Sequence, residues 1–396
     1  MQIRDFEAFK KWLTSNQNVS YVLVRCDLNI PSDTEDLSRI HAIKDTILEL
    51  LALNLKVVLI SHYKRPNSKE YFKRAFSLKR IAKKISKVVG EKVKFCGGPI
   101  QKISRTDFKS KITLLENLRF YEGEGKNDEN FAKELAKFAD VYINEAFSVS
   151  HRAHASVEAI TRILPSFAGI SFAREVHGLS EVISNIEKPY TVIIGGSKVS
   201  SKIKVLESIS MQADYLIITG AMATTFQEAL GHNMGKSLVE RELFKAVLKI
   251  YTDSSAKIIL PMDFLVSENI NEKGCPCSID DVKKNEGCFD IGPVSVQIFK
   301  DIIDKSKTLL WNGAIGAFEF ANFSTASKKI SKFVAEKTKK KEIVSIIGGG
   351  ETVASIGSYK DSMTFVSTAG GAFLEYVTGA ELPGIKALSE SHVAAA

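Results

Sequence analysis

The sequence predicts the α/β class, organised as two lobes that are each a parallel sheet with helices on both faces, joined by a helix and hinge. Three observations carry this. Short β-branched or leucine-rich runs alternate with amphipathic segments along the whole chain, the pattern of parallel sheets covered by helices. At 396 residues the chain exceeds the size at which one hydrophobic core keeps growing. One helical pattern, at 167–188, interrupts the alternation at its middle.

Taken in order, the strand-length runs are 19–30, 56–61, 92–96, 112–115 and 140–143, then 190–194, 215–218, 257–260, 308–311, 343–347 and 363–366. Among the amphipathic segments, 77–90 sets Leu78, Ile81, Ile85 and Val88 on one stripe with its lysines facing away. Between the fifth and sixth runs, 167–188 sets Phe172, Val176, Leu179 and Ile183 on one stripe and reads as the connecting helix. The lobes are therefore expected at 1–170 and 171–372. In 342–373, two apolar runs each end in glycines and lead into a helix-compatible segment. A helix start so placed leaves unpaired N–H groups aligned with the helix dipole, and two of them together suit a polyphosphate.

Composition narrows the function classes. Hydrophobic content of 44% and charged content of 25% are ordinary for a globular protein. No apolar run reaches the length of a membrane span, and the first residues lack a signal-peptide pattern, so a cytoplasmic protein with no membrane partner is expected. Cys26, Cys96, Cys275, Cys277 and Cys288 are too few and scattered for a disulfide framework, and 275–288 lacks paired zinc-ligand spacing. They read as free thiols. The net charge of +8 admits nucleic acid or a small anion. The chain lacks the aromatic interleaving of a single-strand binder, so nucleic acid is not expected as a partner.

Ligands of open α/β sheets collect beyond the carboxyl ends of the strands. In the first lobe those ends deliver Arg25, Asp27 and Asn29, then His62 and Arg65, then Arg119, then His151 and Arg152. With Arg39, the arginines could converge on one rim, where their planar forks match phosphate and carboxylate oxygens. In the second lobe, Lys198 and Lys202 stand four apart at an expected helix start, which would put both ammonium groups on one face. Around them lie the glycine-rich, acid-bearing stretches 219–222, 261–263, 290–293 and 311–319, suited to a base and ribose hydroxyls. One lobe looks built for a small anion and the other for a nucleotide. No nucleophile–base pair stands out, and direct in-line phosphoryl transfer needs none.

These segments, in order along nearly the whole chain, resemble the phosphoglycerate kinase family: Val24–Pro31, Ser61–Pro66, Glu116–Phe120 and His151–Ser156 in the first half, then Gly195–Lys202, Gly235–Ser237, Trp311–Glu319, Gly348–Thr352 and Ser367–Ala372. The resemblance implies Rossmann-like lobes, a monomer, and a glycolytic and gluconeogenic kinase. That kinase moves a phosphoryl group between 1,3-bisphosphoglycerate and ADP, giving 3-phosphoglycerate and ATP, with hinge closure and with Mg²⁺ on the nucleotide. By the same resemblance Asp27, Asn29, Arg39, His62, Arg65, Arg119 and Arg152 hold the phosphoglycerate, Arg39 also bearing on the transition state. Lys198 and Lys202 neutralise the nucleotide and the transferring phosphate, which meets the helix start at Gly370 and Gly371. Gly292, Asn312 and Glu319 border the nucleotide, Glu319 taking its ribose. Gly349, Gly350, Glu351 and Thr352 hold its phosphates, with Glu351 on the metal. A tail at 373–396 returns to the first lobe.

Five positions depart from the family pattern. Glu351 replaces Asp, which moves the metal carboxylate by about an ångström; Ser201 and Glu145 replace Asp, Ala314 replaces Pro, and Ala369 replaces Gly. No substrate arginine or phosphate lysine is lost, so an active enzyme is expected. The rival is a binding protein for the same ligands with impaired catalysis.

Overall fold

A computed structural model of the chain describes residues 3–30 and 36–390. Pro31 of the first motif and 391–396 of the expected tail lie outside the described residues. The chain divides into two compact units, Met1–His177 with Glu381–Ala396, and Gly178–Ala380. The division falls inside the connecting helix Ile170–Ser184, whose Phe172, Val176 and Leu179 are buried and whose Ile183, last on the stripe, is half-buried.

Among the described residues the first unit contains one sheet: β1 (Tyr21–Cys26), β2 (Lys56–Ser61), β3 (Val93–Cys96), β4 (Ile112–Leu115), β5 (Val141–Asn144) and β6 (Ser166–Ala168). Its order is β3-β4-β2-β1-β5-β6, and every pairing is parallel. Val22, Val24, Leu59 and Ile143 pack into one core, while Leu23, Val58, Ile60 and Tyr142 pack into another. Alternate residues thus fill both faces, which is why these strands read as unbroken apolar runs. The chain winds outward in both directions from β1, so the topological switch lies between β1 and β5, and a ligand is expected beyond their carboxyl ends. Residues 78–89 form a short 3₁₀ turn, Leu78–Arg80, and the helix Ala82–Val89. Leu78, Ile81 and Ile85 are fully buried as the stripe implied, while its fourth member, Val88, is half-buried and Val89 is buried instead.

The second unit holds β7 (Tyr190–Ile194), β8 (Tyr215–Ile218), β9 (Lys257–Ile259), β10 (Asp263–Ser267), β11 (Cys275–Ser278), β12 (Gly287–Ile291), β13 (Thr308–Asn312), β14 (Val344–Gly348) and β15 (Phe365–Ser367). Six of these form a parallel sheet, β15-β14-β13-β7-β8-β9, with its switch between β13 and β7. All eleven expected runs are strands of the two parallel sheets. The antiparallel sheet β11-β10-β12 was not expected, because Cys275-Pro276-Cys277 sits in a polar stretch and reads as loop. Pro276 is tolerated because β11 lies at the edge of that sheet. The brief β6 was hidden under the helical pattern that begins beside it. Among the described residues, no helix is long and apolar enough to cross a membrane.

Candidate active site

In the first unit the strand ends bring the expected residues into two groups that share one backbone segment. Asp27, just past β1, accepts from Arg39 Nη1 and from Ser148 Oγ, each at 2.5 Å, and from the Asn29 amide at 3.1 Å. Arg39 reaches it from the first turn of the helix Ser38–Ala52. Arg65, Arg119 and Arg152 line a cavity of about 270 Å³, with His154, Tyr71 and Tyr121. Lys64 links the groups: its amide donates to Asn29 Oδ1 at 2.9 Å, and its carbonyl accepts from Arg119 Nη1.

The charges explain what this site suits. Burial opposes ionisation of Asp27, but the positive potential around it, with Arg39 in contact, and the hydrogen bonds it accepts outweigh that and hold its carboxyl below the usual range. Burial lowers the Arg119 guanidinium to about 10, with Arg152, Arg25 and Arg65 adding to the effect. Burial also lowers His151 and His154 to about 4, helped by neighbouring arginines. Crowded like charges of this kind are relieved by an anion.

The second unit's switch point is a knot of glycines and one lysine. Lys202 Nζ donates to Gly195 O and to Asn312 Oδ1, each at 2.7 Å. Asn312 Nδ2 in turn donates to Gly348 O at 2.7 Å. Thr352 Oγ1 donates to the same carbonyl and accepts from the Gly313 amide, both at 2.6 Å. Gly313 has φ +96°, and a Cβ there would stand 2.1 Å from Gly195 O and 2.9 Å from Lys202 Nζ, so no other residue fits. Burial lowers the Lys202 ammonium to about 8, against the opposing pull of Glu351.

The two strand–glycine–helix turns of 342–373 meet. Gly349 donates to Ser367 O at 2.9 Å, and a Cβ on Gly349 would approach Gly370 Cα at 3.8 Å. Gly350 opens the helix Gly350–Ile356, with Glu351 in its first turn, and Gly370 caps the helix Gly371–Val377. Beside them lies a pocket of about 590 Å³, bordered by Glu319, Glu351, Lys236 and Arg241 and walled by Phe264 and Phe289.

Two expectations change here. Lys198 and Lys202 do not share a helical face: the helix begins at Ile203, Lys202 is its N-cap, and Lys198 stays exposed in the loop before it. Glu240 shapes that loop by accepting from the amide and hydroxyl of Ser200, at 3.0 and 2.5 Å. Gly292 does not line the pocket that its neighbour Ile291 lines. A Cβ on Gly292 would strike the Asp263 carboxylate at 2.1 Å, which accepts the first amides of the following helix from Val294 and Ser295. Sequence reasoning left out Glu124 and Ser148, and it gave Arg25 and Asp290 only as strand-end candidates without a role of their own. Glu124 and Ser148 carry no motif signal, because their contacts span 32 and 121 residues. Asp290 borders the second pocket, and burial raises its carboxyl to about 7.

A cationic anion site at one switch point and a glycine-lined pocket with a buried lysine at the other define an α/β phosphotransferase with two lobes. The family described as phosphoglycerate kinase matches residues 15–380. The phosphoglycerate kinase of Bartonella bacilliformis is 41% identical, over 96% of this chain and 99% of its own, and that of Borrelia garinii subsp. bavariensis is 41% identical over 93% and 96%. The solved phosphoglycerate kinase of Coxiella burnetii matches with TM-score 0.77 at 34% identity, covering 95% of this chain and 98% of its own. That of Pyrococcus horikoshii OT3 matches with TM-score 0.81 at 27% identity, covering 94% and 96%. The chain belongs to the phosphoglycerate kinase family.

Proposed function

We propose that this protein transfers a phosphoryl group between the acyl phosphate of 1,3-bisphosphoglycerate and ADP, giving 3-phosphoglycerate and ATP. The observation that carries the reading is Lys202, a largely buried ammonium fixed by Gly195 O and Asn312 Oδ1 where the two glycine turns meet. A β-phosphate oxygen of ADP attacks phosphorus, the bond from phosphorus to the acyl oxygen breaks, and 3-phosphoglycerate leaves as a carboxylate. Positioning and charge neutralisation supply the catalysis.

In this reading Asp27, Asn29, Arg39, His62, Arg65, Arg119 and Arg152 hold the phosphoglycerate. Lys198 and Lys202 meet the phosphoryl oxygens, joined by the amides that follow Gly370 and Gly371. Asn312, Gly349, Gly350 and Thr352 shape the nucleotide phosphate site, and Glu319 takes the ribose. Gly292 acts indirectly, by admitting Asp263 to the helix start behind Ile291. Closure of the units on their ligands would exclude water from the transfer.

Mg²⁺ travels with the nucleotide. The exposed carboxylate of Glu351, bordering the pocket, suits an ion that draws its other ligands from phosphate and water. Among the described residues, no group of three or more His, Cys, Asp or Glu could hold a metal alone. The reading also takes the protein to be a cytoplasmic monomer.

The test is ADP formation from ATP, with the acyl phosphate trapped chemically. Turnover should require 3-phosphoglycerate and Mg²⁺ together; binding of both ligands without turnover would favour a protein that has lost catalysis.

A further inference from the structure

We propose that Arg25 is a positioning residue that locks His62 in one neutral tautomer, with Nδ1 accepting a hydrogen bond and the proton on Nε2, so that His62 meets its ligand as an uncharged donor. Arg25 lies on β1 and is fully buried. Its Nη2 stands 3.2 Å from His62 Nδ1. A guanidinium has five N–H donors, no acceptor, and keeps its charge in proteins. The shared hydrogen therefore belongs to Arg25, and Nδ1 offers its lone pair. A neutral imidazole in that state carries its hydrogen on Nε2.

The rest of the guanidinium is held so that Nη2 is left to hydrogen-bond His62. Nε donates to Ser156 Oγ at 2.8 Å and Nη1 to Cys26 O at 2.5 Å. Glu124, also buried, places Oε1 3.9 Å from Nη2 as the countercharge. Glu124 is itself fixed by the Ser156 amide at 3.0 Å and hydroxyl at 2.7 Å. His62 is faced by Arg25 and Asp27 from β1 and its following turn, by Arg39 from the helix Ser38–Ala52, and by Arg119 from the turn after β4. Tyr142 and His154 also lie within reach of the Arg25 charge. Of these only Asp27 favours an imidazolium, and a second proton on Nδ1 would set N–H against N–H. Burial, followed by Arg25, holds His62 well below the usual imidazole range.

The consequence deepens the proposed function and rests on its placing of phosphoglycerate beside His62. The arginines would supply the countercharge for the ligand, while His62 supplies direction: one N–H aimed at an oxygen. Binding through His62 would then not change across the pH range in which an ordinary histidine titrates.

The experiment is ¹⁵N NMR of the full chain labelled at histidine nitrogens, with His62 assigned by loss of its signals in His62→Gln. Without ligand, His62 should show an unprotonated Nδ1 and a protonated Nε2 from about pH 8 to about pH 5.5, a span that brackets the ordinary imidazole pKa of about 6.5. A proton on Nδ1 anywhere in that span overturns the proposal. In Arg25→Met, His62 should titrate near its ordinary value and the KM for phosphoglycerate should acquire a matching inflection while kcat keeps its pH profile. If Arg25→Met folds and both signals stay flat, Arg25 is not the lock. Should that variant not fold, the wild-type spectra decide alone. The expected tautomer together with an unchanged KM in His62→Gln would leave the lock standing and remove His62 from the ligand site.

Discussion

Lys202 holds its ammonium between two oxygens at 2.7 Å, in surroundings that lower its pKa to about 8. The pH dependence follows from that value. In the proposed function the protonated form neutralises phosphate, so kcat/KM for the nucleotide should fall as pH rises through about 8. Bound phosphate restores the charge, so kcat should hold to higher pH. Coincident profiles for the two parameters would contradict this. Arg39 supports a second prediction, because it faces Asp27 from a helix start and keeps about a third of its side chain exposed. Arg39→Ala should lower kcat on the order of 10³-fold; near-normal kcat would remove Arg39 from the transition state. Such residues stood out where motif and strand end coincide, as at Asp27 and His62, or where motif and helix start do, as at Lys202. Arg25 was visible at its strand end but not its role, since its partners Glu124 and Ser156 come from distant segments.

Glu145 shows what a single side chain does for an element. It follows β5 and accepts from Thr46 Oγ1 and from the amides of Ser171 and Phe172, so it caps the connecting helix. The longer acid needs room, and Gly169 provides it: a Cβ there would stand 2.3 Å from the carboxyl. Burial raises Glu145 to about 7. Because its folded pKa exceeds the unfolded one, its protonated form adds stability that is fully present below about pH 4.5 and lost as pH rises through about 7. The difference amounts to at most about 3 kcal/mol. Glu145→Gln should therefore flatten the pH dependence of the unfolding midpoint across that window; an unchanged slope would contradict the assignment. The elements that sequence showed well were those with one environment along their length, such as the parallel strands buried on both faces. It showed β6 and β11 poorly, because β6 has three residues and three of the four residues of β11 are exposed, leaving no periodicity to read.

At the scale of the molecule, the sequence disclosed two parallel-sheet units and the anionic character of their ligands, because glycines and arginines recur just beyond the strand ends. It did not disclose how backbone geometry divides the labour: Lys202 buried as an N-cap and Lys198 exposed in a loop pinned by Glu240. In the proposed function, phosphoryl passes in one in-line step from a ligand of the first unit to a ligand of the second, with no enzyme-bound intermediate. The most direct test is the stereochemical course with a nucleotide whose transferred phosphoryl group is made chiral with oxygen isotopes. One in-line displacement predicts inversion at phosphorus; retention would mean two displacements through a covalent phosphoenzyme and would contradict the account.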